Sequence, residues 1–254
     1  MMDAIYKGGH SVPENVMDAL KYIGKVGVMS RETWNQCFSK GTLRWKRKQL
    51  QHLVERKIVR AHTCGSVENA FVIADHGATI LKKMNWPLIQ PIPPQYIIHD
   101  ETVAKAIIEL ERKGFCQRWF TERELKSLNS QEYLIQNINN ETKYPDAILK
   151  MMIREKPRTV AIEYERTGKA LSRYRSILWQ YNGINNISMI LYVVEDNTIK
   201  KRIKTALKYQ GETAVSERLA FVNVNEWILN PLSAPIELKS SITSFNKLCV
   251  YNTA

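Results

Sequence analysis

Ten residues near the middle of the chain, Trp86-Pro-Leu-Ile-Gln-Pro-Ile-Pro-Pro-Gln95, constrain its fold more than any other stretch. Their four prolines lack the amide hydrogen that a helix ladder needs and hold φ near one value. No helix continues through such a run, and the chain stiffens toward an extended form. Residues 87–97 therefore read as a linker between a first domain, 1–86, and a second, 98–254. Both pieces are long enough to bury a core of their own.

The first piece reads as three helices followed by a hairpin. Pro13 opens a helix whose apolar stripe is Val16, Ala19, Leu20 and Ile23, ending near Gly24 or Gly27. Ser30 starts a short second helix through Trp34 and Phe38, stopped by Gly41. Thr42 caps a third, with Leu43, Leu50, Leu53 and Val54 as its expected buried stripe. Two apolar-rich strands, 58–62 and 70–75, flank Gly65-Ser66, and a further helix spans 77–84. Three helices and a β-wing are the pattern of a winged helix-turn-helix domain. Arg44, Lys46, Arg47 and Lys48 crowd the start of the third helix, which suits insertion into a major groove. Trp45 is readable either as core or as a stacking residue, and the domain itself as a dimerisation module instead.

Lysine and arginine number 37 against 25 acidic residues, a formal charge of +12. That excess favours a polyanionic partner, because each neutralised phosphate releases condensed counterions. The four cysteines, Cys37, Cys64, Cys116 and Cys249, form no CxxC pair, so a zinc site or disulfide framework is not expected and a reducing cytoplasm is. No signal-peptide core stands at the start of the chain and no apolar run is long enough to insert in a membrane. His10, His52, His62 and His76 show no metal-ligand spacing, and no phosphate-binding glycine loop occurs.

The second piece reads α-β-β-β-α-β with a further α-β, a compact α/β sandwich. A helix spans 99–112 and a strand 115–120; Thr121 caps a short helix, and 129–143 is a loop. Strands 144–153 and 159–166 turn at Lys156-Pro157, helix 168–181 follows, and Ile187–Val194 is apolar enough to be a central strand. Glu163 and Glu165, two apart on one strand, share a face, while Tyr164 points away. The hairpin would bring Asp146 beside them. Three hard oxygen ligands so placed suit Mg²⁺ or Mn²⁺, which polarises a phosphate oxygen and activates water. Lys169 lies within reach of the same phosphate, and Arg173, one turn along the next helix, of the DNA. A solvated edge strand is the competing reading of the glutamate pair. His99 reads as a general base or ligand, or as a capping or structural histidine. Asp100 and Glu101 read as partners of the helix dipole, and Tyr174 and Tyr181 as core rather than nucleophiles.

Tyr144-Pro-Asp-Ala147, Ala161-Ile-Glu-Tyr-Glu-Arg166 and Gly168-Lys-Ala-Leu-Ser-Arg-Tyr174 together resemble the PD-(D/E)XK nuclease superfamily. More closely, the chain resembles the replication-relaxation proteins and the MOB-C class of plasmid mobilisation relaxases. Those pair a winged helix with a nuclease-like domain often opened by His-Asp, as His99-Asp100 here. The resemblance implies a restriction-endonuclease-like second domain and a relaxase-like, metal-dependent nicking of double-stranded DNA at a plasmid origin. It also implies relaxosome or replication proteins as further partners; a homodimer is left open. Asp146 and Glu163 would be metal ligands, with Glu165 standing where the superfamily carries lysine. Either Lys169 takes that lysine's role, or catalysis is lost and the protein is a DNA-binding regulator of replication or transcription on a degenerate nuclease fold. A nuclease cutting both strands is a third reading.

Overall fold

The structure is a computed structural model describing residues 12–64, 67–136, 142–209 and 214–249. The expected turn at Gly65-Ser66, His10 and residues 137–141 of the expected loop lie outside the described residues. The chain forms two compact units, 1–101 and 102–254, and the division falls inside one helix.

In the first unit, helix α1 (Glu14–Val26) buries the expected stripe of Val16, Ala19, Leu20 and Ile23. It ends at Gly27, whose φ of +89° a side chain would strain. Strand β1 (Met29–Ser30) leads into α2 (Arg31–Thr33), which Ser30 caps by accepting from the Thr33 amide, and then into a π-helical turn, Trp34–Phe38. Helix α3 (Leu43–Glu55) is capped by the Thr42 hydroxyl. Only Leu50 and Leu53 of its expected stripe are buried; Leu43 is 62% and Val54 36% exposed. Strands β2 (Val59–Cys64) and β3 (Val67–Ile73) pair antiparallel, β1 joins β3, and α4 (Asp75–Lys83) follows.

The proline-rich stretch is extended, as its composition predicts, yet it lies against α1. The Trp86 indole donates to the Lys21 carbonyl at 2.9 Å, the Ile89 amide to the Gly24 carbonyl at 2.8 Å, and Ile92 is buried. Helix α5 (Pro94–Arg112) begins inside the expected linker rather than at His99. A proline costs nothing in the first helical turn, where no intrahelical partner awaits its amide. The earlier start moves Glu101 out of the first turn and away from a dipole role. It is buried, accepting from the Ser30 amide and the Thr33 hydroxyl, each at 2.7 Å, and facing the Tyr22 phenol.

The second unit is mixed α/β. It opens with β4 (Cys116–Thr121), α6 (Glu122–Ser127) and a small two-stranded ladder, β5 (Ile135–Gln136) with β6 (Thr142–Lys143), within the expected loop. Strands β7 (Ala147–Ile153) and β8 (Lys156–Glu165) form a hairpin turning at Arg154-Glu155, not Lys156-Pro157. Both turn residues have left-handed φ, +50° and +61°, which matches the twist of a two-residue hairpin. Helix α7 (Leu171–Asn182), β9 (Met189–Val194), α8 (Asn197–Lys208), α9 (Ala214–Arg218) and β10 (Leu219–Asn223) follow. Helix α10 (Val224–Leu229), β11 (Ile236–Glu237), β12 (Ile242–Thr243) and α11 (Phe245–Leu248) complete the unit.

Among the described residues one seven-stranded sheet runs β12-β11-β10-β9-β8-β7-β4. Its β4-β7-β8 side is antiparallel and β8-β9-β10 is parallel. Strand β9 occupies the middle and is buried from Ile190 to Val194, as its unbroken apolar run requires. Ala161, Ile190, Tyr192 and Phe221 pack with Tyr174, Ile177 and Tyr181 of α7 and Ile199 and Ile203 of α8 in one core. Among the described residues no helix is long and apolar enough to cross a membrane.

Candidate functional site: a lysine-paired carboxylate cluster

The end of β8 carries the polar centre of that core. Strand pairing sets Ala147 opposite Ile162, so Asp146, on the lead into β7, meets the end of β8 and accepts the Tyr164 amide at 2.7 Å. The pairing of Asp146 with the glutamates thus follows from register, although the turn that sets the register lies elsewhere than expected. Glu163 and Glu165 share the face of β8 that α7 covers, and both are buried, 2% and 1% exposed. Tyr164 points the other way, its phenol on Glu195.

Each glutamate has a lysine and a tyrosine. Glu163 accepts from Lys143 Nζ on one oxygen and from the Tyr181 phenol on the other, both at 2.5 Å. Glu165 accepts from Lys169 Nζ and, at 3.3 Å, from the Tyr174 phenol. Burial pushes the Glu163 carboxyl up, with Asp146 adding to it against Lys143 and the Tyr181 hydrogen bond. Burial alone would pull Lys143 down, but Glu163 and Asp146 outweigh it and hold its ammonium charged. Tyr174 is raised to about 12 by burial and Glu165 against the pull of the Lys169 amide, and Tyr181 is raised by burial and Glu163.

Tyr192, opposite Glu163 across β8 and β9, has its hydroxyl buried without a hydrogen-bond partner. Burial first, then the charges of Glu163, Glu165 and Asp146, raise its pKa, which puts the phenol in the field of all three acids. A buried hydroxyl without a hydrogen-bond partner costs about 1–3 kcal/mol. Carboxylate oxygens are the donor type that a hard divalent cation takes. In the described arrangement lysine ammoniums hold that ground, and no group of three or more His, Cys, Asp or Glu side chains among the described residues is gathered to hold an ion.

Four expected site residues therefore come together: Asp146, Glu163, Glu165 and Lys169. Lys169 lies in the loop before α7, whose helix starts at Leu171, and Arg173 sits part-buried in that helix's first turn. His99 lies in the first unit, beyond the first turn of α5, with its Nδ1 3.1 Å from Asp100. On α3, Arg44, Arg47 and Lys48 are exposed, as is Trp45. Lys46 is turned inward, its ammonium on the Asn35 carbonyl and its own carbonyl accepting from the Trp34 indole.

No family model, curated protein or solved structure matches the chain. The geometry of the site includes residues that sequence patterns did not mark. Lys143 sits in the expected loop, on β6, and only the tertiary fold brings it to Glu163. Tyr174 and Tyr181 were legible as one face of α7, seven residues apart, but as packing rather than as donors. Arg218 fixes that face: its guanidinium donates to the carbonyls of Tyr181 at 2.7 Å and Ile187 at 2.9 Å, pinning the end of α7.

Proposed function

We propose that the chain is a DNA-processing protein of the relaxase type, which recognises a plasmid origin through its first unit and nicks one strand at the Asp146–Glu163–Glu165 cluster. The observation that carries the reading is the convergence of Asp146, Glu163 and Glu165 at the end of an antiparallel β4-β7-β8 meander that is followed by a helix and a parallel strand. The strand-strand-helix order there is in keeping with the resemblance to PD-(D/E)XK nucleases. The three helices, hairpin and exposed basic start of α3 are likewise in keeping with a winged helix reading duplex DNA. A bound Mg²⁺ or Mn²⁺ would supply Lewis acidity to a phosphate oxygen and an acidified water. Asp146 and Glu163 would hold it, with Lys143 yielding its place on Glu163. Lys169, 38% exposed, would turn from Glu165 to the scissile phosphate.

One observation favours a second reading. Both glutamates already have a lysine, so each is charge-compensated as it stands, as a DNA-binding regulator on a degenerate nuclease fold would require. Incubation of supercoiled plasmid carrying the native origin with Mg²⁺ or Mn²⁺ separates the two. Open-circular product is expected from the wild type and none from Asp146→Ala or Glu163→Ala, with duplex binding by those variants within about twofold. Linear product would indicate cleavage of both strands. A wild type that never nicks with either metal would sink the enzymatic reading in favour of the regulator.

A further inference from the structure

Helices α7 and α8 pack side by side, and their outer surface joins two exposed aromatic rings to a row of cations. Trp179 on α7 is 63% exposed and Tyr209, just past the end of α8, is 65% exposed. Arg175, one turn before Trp179 on α7, sits 5.4 Å over the Tyr209 ring. Helix α8 carries Lys200, Lys201, Arg202, Lys204 and Lys208 and no acid. Its bases divide into two sets. Lys200 and Lys204 are both bonded to Glu237, whereas Lys201, Arg202 and Lys208 are exposed. Arg202 and Tyr209, seven apart, lie on one side of the helix.

The band also has a direction. A methyl group at Gly168 would stand 3.2 Å from the Arg202 guanidinium, so Arg202 borders the loop that carries Lys169. From the carboxylate cluster the surface thus runs past Lys169 and Arg202 to Arg175, Tyr209 and Trp179.

We propose that this α7–α8 face is a binding path for single-stranded DNA, with Trp179 and Tyr209 as base-stacking platforms and Arg175, Lys201, Arg202 and Lys208 meeting the phosphates. Every base offers a π-face to an aromatic ring while its backbone needs cations at intervals, so rings interleaved with bases fit a single strand. A duplex hides its bases from such rings. The path deepens the nicking reading, since a nicked strand leaves a single-stranded end at the cluster, but its test does not depend on cleavage.

Fluorescence anisotropy with labelled dT20, alongside a labelled duplex, in metal-free buffer tests it on the full chain. The wild type is expected to bind dT20. Trp179→Ala and Tyr209→Ala are each expected to weaken that binding about tenfold, with Trp179→Phe retaining most of it. Lys201→Ala, Arg202→Ala and Lys208→Ala should each flatten the salt slope by about 0.7. Duplex affinity should stay within twofold, and unchanged melting temperatures would show the variants folded. No measurable dT20 binding by the wild type, or dT20 affinity unaltered by the Trp179 and Tyr209 changes, overturns the proposal; the latter outcome would leave the face to a protein partner. Equal losses for dT20 and duplex overturn it too. Loss of nicking with dT20 binding intact would count against the nuclease reading alone.

Discussion

Tyr181 shows how a residue that reads as packing acquires a second duty. Its ring is fully buried in the α7 core, while its hydroxyl is one of two donors to Glu163. A donor to a carboxylate favours the charged form, so this bond works against burial, which pushes Glu163 up. Tyr181→Phe keeps the packing and removes only the donor, and the Glu163 pKa should climb further. At any pH near the titration a larger fraction is then protonated, and less carboxylate remains to bind a cation. The expected outcome is an acid limb of the nicking profile displaced to higher pH, with a matching upward move in a carboxyl ¹³C NMR titration. A Glu163 titration that stays put or moves down in Tyr181→Phe would show that the phenol does not set it. For stability the sign is the reverse of an ordinary surface carboxylate. Because the folded pKa is raised, Glu163 contributes stability at low pH, and that contribution fades as pH rises through the raised value. Lys143, raised as well, contributes while charged and loses its share only in the alkaline range.

Among the elements, the proline-rich strap and α1 explain each other. A methyl group at Gly24 would lie 2.5 Å from the Pro87 carbonyl, and one at Gly27 2.7 Å from the Gln90 carbonyl. Small residues let the strap run close enough for Ile89 to bond the Gly24 carbonyl. Helix propensity and packing make opposite forecasts here. Alanine is favoured over glycine inside a helix by about 1 kcal/mol, whereas forcing a methyl into a filled contact costs about 1–3 kcal/mol. The obstruction is backbone, which yields less readily than a side-chain tip, so Gly24→Ala is expected to be destabilising in urea unfolding. A variant more stable than the wild type would mean that the strap does not pack there. The β7–β8 hairpin makes a parallel point about signals. Arg154 and Glu155 take left-handed φ without being Asn or Gly, so nothing in their chemistry announces the turn. Pro157, the residue that does look like a turn, is accommodated in the strand opposite Met152.

For the whole molecule, the formal charge of +12 becomes informative once its bases are sorted by what holds them. Lys143 and Lys169 compensate buried glutamates, Lys200 and Lys204 share Glu237, and Lys46 caps the Asn35 carbonyl. On α3 this leaves Arg44, Arg47 and Lys48 exposed, the residues that the proposed duplex contact would use. Neutralising each of those three should lower the salt slope of duplex binding by about 0.9. Lys46→Ala should change it less, because its ammonium is already committed. Filter-binding or anisotropy titrations between 50 and 200 mM salt, on the order used for such slopes, would check this. Equal effects at all four positions would mean that the Lys46 contact opens on binding, and no effect at any would move the duplex surface off α3.

By itself the sequence determined the periodic elements: the α1 stripe, the buried central strand, the glutamates on one face of β8, and the extended course of the prolines. Each follows from local geometry, since side chains three or four apart on a helix and two apart on a strand must share a face. Only the tertiary structure decided what those faces meet. The proline stretch is a strap held on α1 rather than a bare spacer, because two glycines admit it. Leu43 is exposed where a stripe was expected, because burial depends on a neighbour being present and not on the residue's own character. Asp146, Lys143, Tyr181 and Tyr192 converge on Glu163 because strand register and the crossing of α7 bring together positions that are up to about fifty residues apart in sequence. Long-range pairing of that kind leaves no local pattern to read, and it supplies the partners of Glu163, whereas Lys169 lies only four residues from Glu165.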